Sequence, residues 1–274
     1  MSKLRLFLTV VTLILTLPIV TSCLEDDDSV EIITDAHFAE VRSEGYNMYY
    51  FVDAAGMKLN PSPESAREME RKSVNFSPGI SYIRYTKPIG GYPGETTETG
   101  YQIELQAGAP IDREFIYSDA SGQDDFISTA SIIGLDEIYS NNSRMLIMNK
   151  RYLLLNINYY IGAASDGKAK PHRFAVVYNS DETVSGSTAL KLYLRHDSMG
   201  DTSTDYLTAN VADFTLYCMA FDMKSAFEHF ESITGKKGGF KITLTADIEK
   251  SGESSKIENA VSEEYTITYI PGNL

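Results

Sequence analysis

Tryptophan is absent from this chain of 274 residues, cysteine occurs twice and histidine four times. Two cysteines as far apart as Cys23 and Cys218 exclude the disulfide framework that many exported proteins use. Packing must then supply the stability. The histidines His37, His172, His196 and His229 are scattered, and none has a second ligand at the spacing of a zinc motif. Gly-x-Ser-x-Gly and the full phosphate-loop motif Gly-x-x-x-x-Gly-Lys-Ser/Thr do not occur, and the dispersed carboxylates single out no glycosidase pair. The expectation is a protein that is not an enzyme, with no catalytic residues, no cofactor and no metal. Basic residues are also few, 24 against 38 acidic, for a formal charge of −14. No basic run exceeds two residues, as at Lys236-Lys237, which speaks against nucleic acid and against broad attraction to an anionic bilayer.

What is present begins at the N-terminus. Lys3 and Arg5 precede an apolar stretch, Leu6 to Val20, that is short for a bilayer span and ends in the small residues Thr21-Ser22. Cys23 follows, then Leu24 and the carboxylates Glu25, Asp26, Asp27 and Asp28. Residues 1–22 read as a cleaved signal peptide and 23–33 as an acidic tether extended by self-repulsion. Cys23 directly after small residues resembles the lipobox of bacterial lipoproteins, which implies a diacylglycerol on its thiol. Each buried methylene contributes about 0.8 kcal/mol, so a multiply acylated terminus stays in the membrane. The acidic run resembles the export signal of Bacteroidetes lipoproteins carried to the outer face of the outer membrane. The expected location is therefore the outer membrane, lipid-anchored and exposed at the cell surface.

Tyrosine reaches 18 and phenylalanine 12, the aromatic content of a sheet protein. Alternating residues predict strands at 47–53, 57–59, 80–85 and 101–107, with a polar, helix-permissive insert over 62–72. Several short strands in so small a stretch predict a small OB-like barrel over 34–112. The Ser/Asp/Gly-rich stretch within 113–135 reads as a linker. Further strands are expected at 152–160, 173–178, 190–195, 211–221, 240–248 and 265–269. One short helix is expected as well: Met223, Ala226, Phe227, Phe230, Ile233 and Thr234 recur at helical spacing, Asp222 is placed to cap it and Gly235 to stop it. Residues 136–274 then form an antiparallel β-sandwich, and the fold class is mainly β.

Three groups of residues invite a chemical reading. His196 ends a strand beside Asp197, which is either a dyad at a loop mouth or two polar residues at a strand end. Asp197, Asp201 and Asp205 offer oxygen ligands of the kind calcium takes, but without the spacing of an EF-hand loop they read more readily as solvated turn carboxylates. Tyrosines concentrate in the first block, and Tyr49, Tyr82 and Tyr92 are either a ligand face, suited to a protein or a glycan, or half-buried packing residues of their strands, the commoner role. Cys218 alternates with Phe214, Leu216 and Ala220, so it is expected to point inward as a small hydrophobe.

The lipobox, the tract Cys23-Leu24-Glu25-Asp26-Asp27-Asp28 and the barrel-then-sandwich order together resemble the NigD-like lipoproteins of the Bacteroidetes. The most specific segments are Arg151 to Asn156, His172 to Tyr178 and Leu192 to Asp201. The resemblance implies an N-terminal OB-like domain, a C-terminal β-sandwich and a role associated with bacteriocins, such as immunity. It supplies no catalytic residues. Two functions follow as expectations: a non-enzymatic surface lipoprotein that presents two β domains to a protein partner, or an accessory lipoprotein that binds glycans.

Overall fold

The computed structural model describes residues 31–44, 48–88, 95, 99–118, 126–138, 143–162, 170–202, 217–250 and 257–270. Cys23, the carboxylates from Glu25 to Asp28, Tyr92 and Asp205 lie outside them. Among the described residues no helix is long and apolar enough to cross a membrane.

Five strands, β1 (Ile32–Ser43), β2 (Tyr49–Asp53), β3 (Lys58–Pro61), β4 (Gly79–Pro88) and β5 (Tyr101–Pro110), close a barrel in the order β1-β2-β3-β5-β4. All neighbours run antiparallel except β3 and β5. Helix α1 (Pro63–Arg71) forms where the sequence was only helix-permissive, because Ser62 accepts the Ser65 amide, Pro63 opens the first turn and Glu68 pairs with Lys72 at 2.7 Å. It seals the barrel with Met69, fully buried among Phe51, Leu59, Ile83 and Ile103.

The chain then enters β6 (Asp112–Ser118), so the first part of the expected linker is a strand. Nine strands make up the second unit: β6, β7 (Gly134–Asp136), β8 (Met145–Met148), β9 (Tyr152–Asn158), β10 (Arg173–Asn179), β11 (Ala189–Asp197), β12 (Cys218–Asp222), β13 (Phe240–Ile248) and β14 (Val261–Tyr269). The path is β14-β13-β11-β10-β6-β12-β9-β7, with β8 also paired to β9. The second β unit is present as expected, but its pairing is mixed. β6 runs parallel to both β10 and β12, and β11 parallel to β13. β6 pairs through Asp112 and Arg113 with β12 and from Glu114 onward with β10. One curled sheet thereby supplies both layers that a sandwich would take from two.

The alternation read from sequence places its residues correctly. Leu153, Leu155 and Ile157, Phe174, Val176 and Tyr178, and Leu190, Leu192 and Leu194 all lie in one buried cluster. Helix α2 (Lys224–Thr234) covers that cluster with Ala226, Phe227 and Phe230, and Gly235 ends it in the left-handed conformation (φ 72°). Met223 holds the N-cap position instead of Asp222. Asp222 still accepts the Lys224 amide from one residue further out, at 3.1 Å.

A second face of β9 and β12 is apolar too. Tyr152, Leu154, Cys218 and Ala220 alternate with the residues of the main core and pack, with Ile111 and Met148, against Phe38 and Ile80 of the barrel. The barrel therefore covers the back of the sheet, and the two units share one apolar interface. That explains why Tyr152-Leu153-Leu154-Leu155 is a continuous apolar run rather than an alternating one.

Candidate functional site

Two polar constellations stand out, one open and one sealed. The open one is a cleft of about 640 Å³ where barrel meets sheet, and its charged lining is Glu40, Arg42, Asp112, Arg113, Arg151 and Asp222. Glu40 projects from the barrel, and its nearly buried carboxylate accepts from Arg42 Nη2 at 2.7 Å and Asn149 Nδ2 at 2.8 Å. Asn149 and Lys150 both have positive φ (50° and 56°), the backbone of a tight turn whose twist suits the β8–β9 hairpin. That turn delivers Asn149 to the barrel and Arg151 to the cleft.

Arg151 grips Asp222 with two parallel bonds, Nε to Oδ1 at 2.8 Å and Nη2 to Oδ2, and its guanidinium lies 4.9 Å above the Tyr152 ring. The hydrogen bond to Asp222 raises the Arg151 pKa above its ordinary range. Burial opposes ionisation of Asp222, but the bonds from Arg151 and Lys224 prevail and lower it. Asp112 spends both oxygens on one backbone donor, the amide of Ile80, at 2.9 and 3.0 Å, and crowding by the barrel raises its pKa. Arg113 is lowered by loss of solvent, an effect that the Tyr159 phenol and Asp112 partly offset. In this cleft the carboxylates are engaged by donors of the protein itself, while guanidinium groups stand at its walls.

The sealed constellation lies at one end of the curled sheet. β10 and β11 pair Phe174 with His196, which brings His172, at the entrance to β10, beside His196. His172 Nδ1 lies 2.8 Å from His196 Nε2, and His172 Nε2 lies 3.2 Å from Asp201 Oδ2. His196 Nδ1 meets the Ser131 carbonyl at 3.1 Å, and its ring stacks on Phe174 at 4.3 Å. Asp201 also accepts from Lys170 Nζ at 2.8 Å and from the Gly162 amide at 2.5 Å. The side chains of His172 and Asp201 are only 3% and 2% exposed, so neither can touch a substrate. Burial pushes His196 down to about 3 and lowers His172 as well, against the pull of Asp201.

The residues singled out from sequence fare differently. His196 and Asp197 diverge: His196 points inward, whereas Asp197 turns to Thr129 Oγ1 at 2.6 Å and the Met199 amide at 3.0 Å. Asp201 joins the buried histidines instead of Asp197, and both carboxylates are taken up by protein donors. His172 was read as isolated, and the structure corrects that. The signal was its position two residues before Phe174, on the same face of a strand pairing with the one that carries His196. Tyr49 packs on Phe51 and Phe76 at 5.5 and 5.2 Å, and burial of its hydroxyl pushes it up to about 12. Tyr82 packs edge-on to Phe38 at 5.7 Å in the apolar interface with the sheet, so the two tyrosines belong to different clusters. Cys218 is buried and raised to about 12 by loss of solvent, an inert side chain as expected.

No protein-family profile matches the chain, and no curated protein does. Solved structures do. A candidate lipoprotein of Bacteroides fragilis matches at a TM-score of 0.62 with 21% identity, over 88% of this chain and 100% of that one. A toxin-related protein of Parabacteroides distasonis matches at 0.53 with 17% identity, over 88% and 95%. A NigD-like immunity protein of Bacteroides caccae matches at 0.51 with 13% identity, over 90% and 100%. At these identities the likeness shows the fold. The resemblance read from sequence thus holds at the level of architecture: this mainly β, barrel-and-sheet chain shares its fold with a NigD-like immunity protein.

Proposed function

We propose that this chain is a non-enzymatic lipoprotein, anchored in the outer membrane through Cys23 and displayed at the cell surface, whose cleft between barrel and sheet receives a protein partner. The observation that carries the reading is the cleft, with Arg42, Arg113 and Arg151 at its walls and its carboxylates already bonded within the protein. Such an arrangement suits recognition: it presents preorganised donors along an open cleft. The sealed histidines fit the same view, since they are closed to any substrate.

The anchor and address rest on Cys23 and the run from Glu25 to Asp28. The neighbours in fold support the class of protein, one being a candidate lipoprotein, one toxin-related and one an immunity protein. By that analogy the partner is an antagonistic polypeptide such as a bacteriocin. Protease applied to intact cells tests display: digestion of the protein alongside a known surface protein supports it, and survival while the other is shaved refutes it. Radiolabelled palmitate should enter the wild type and not Cys23→Ser. The partner itself is sought by capture on the chain from residue 24. A polypeptide held by the wild type and lost by a folded Arg151→Glu variant supports the cleft, and one held equally by both removes it.

A further inference from the structure

The contacts around His172 and His196 can be counted in protons. Three links run in series: Ser131 carbonyl to His196 Nδ1 at 3.1 Å, His196 Nε2 to His172 Nδ1 at 2.8 Å, and His172 Nε2 to Asp201 Oδ2 at 3.2 Å. Both ends of the series, a carbonyl and a carboxylate, only accept. Each link needs one proton, three in all, whereas two neutral imidazoles bring one each. One link is therefore empty at neutral pH. The short N···N contact cannot be two facing lone pairs, so one proton lies in it, and the other goes to the stronger acceptor at the ends, the Asp201 carboxylate, which Lys170 and the Gly162 amide also hold. His196 then donates across the N···N contact, His172 donates to Asp201, and the empty link is the one to the Ser131 carbonyl.

We infer that this series is a buried proton-binding site that takes up one proton, shared by His172 and His196, as the surroundings turn acidic, and so adds a bond to the Ser131 carbonyl. The incoming proton completes the His196–Ser131 bond and sets a second cation beside Lys170 against the Asp201 carboxylate. The Asp201 hold on Lys170 weakens accordingly. Four chain segments meet at these groups: Ser131 before β7, Gly162 after β9, Lys170 and His172 before β10, and His196 to Asp201 at the end of β11. The other charged or titratable groups that face the pair are Asp197, which favours the proton, and the Tyr159 phenol, whose ring lies 5.1 Å from His172 and 5.5 Å from His196. Burial lowers both imidazoles, so uptake falls below the ordinary histidine range of about 6.5. Because the two groups are coupled, the step belongs to the pair.

Nitrogen-15 spectra of the histidine side chains test this in the chain from residue 24, which contains every described element. At neutral pH His196 should show the Nε2–H tautomer. On acidification the His172 and His196 signals should move together with one midpoint, well below 6.5. In Asp201→Asn that midpoint should fall further, because the carboxylate charge that offsets the added proton is gone. His172 titrating alone near 6.5 would overturn the inference. So would a neutral His196 in the Nδ1–H tautomer. If Asp201→Asn does not fold, the tautomer and the shared midpoint in the wild type decide the matter without it.

Discussion

Asp112 opens the sheet and accepts, on both carboxylate oxygens, the amide of Ile80 in the barrel, at 2.9 and 3.0 Å. Ile80 is fully buried, so its N–H has nowhere else to turn. Asp112→Ala is expected to cost about 1–3 kcal/mol, the penalty of a stranded buried donor, read as a lower denaturant midpoint. Asp112→Asn keeps one acceptor oxygen and should recover much of that. Gly79→Ala should be as damaging as Asp112→Ala, since Gly79 holds φ +149° and a Cβ there would lie 2.3 Å from Asp112 Oδ2.

Arg151→Ala offers the opposite outcome. Both members of the Arg151–Asp222 pair are about two-fifths exposed, at 40% and 42%. Exposed pairs contribute roughly 0–1 kcal/mol even with good geometry. Chemical denaturation should thus show a loss below about 1 kcal/mol, while any partner seated in the cleft is lost. A large fall in stability would mean that Arg151 serves the fold and not recognition.

Acid should destabilise the chain. His196 is held near 3 in the folded state, against about 6.5 when unfolded. Between those values the unfolded chain binds the proton more readily, so the stabilising contribution is complete above about pH 6.5 and shrinks as pH falls toward 3. The lowered His172 acts in the same sense. By pH 5 the loss should be on the order of 2 kcal/mol. Thermal melts at pH 7, 6 and 5 check it, and His196→Gln should flatten the profile if it folds.

Cys218 is the only thiol once Cys23 is removed or acylated. Buried against the barrel and raised to about 12, it should resist iodoacetamide in the native chain and react stoichiometrically in denaturant. Rapid native labelling would show that the barrel parts from the sheet.

Much of this fold was legible because alternation is a local signal. Leu190, Leu192 and Leu194 announce a half-buried strand to any reader, and Gly235 announces the end of a helix. The barrel's contact with the sheet was also written, in the doubly apolar Tyr152 to Leu155, yet that run says only that both faces are covered and not by what. Parallel pairing of β6 left no local trace, since the partners of Asp112 to Ser118, β10 and β12, lie far along the chain. The cleft was invisible for a related reason. Glu40, Asp112, Arg151 and Asp222 are separated by most of the chain and meet only because barrel and sheet dock. His172 and His196 needed a strand register that spacing alone does not provide.

The double allegiance of β6 has a temporal side. Every strand of the barrel lies before Ile111, so a chain delivered N-terminus first can close it early. β6 then finds β10 about 60 residues later and β12 about 110 residues later, by the registers Ala175 to Glu114 and Ala220 to Asp112. Until then the apolar face of the finished barrel, with Phe38 and Ile80, has no sheet to cover it. Pairings of such long range form slowly. A barrel that closes first thus carries a bare apolar flank until β9 and β12 arrive to cover it.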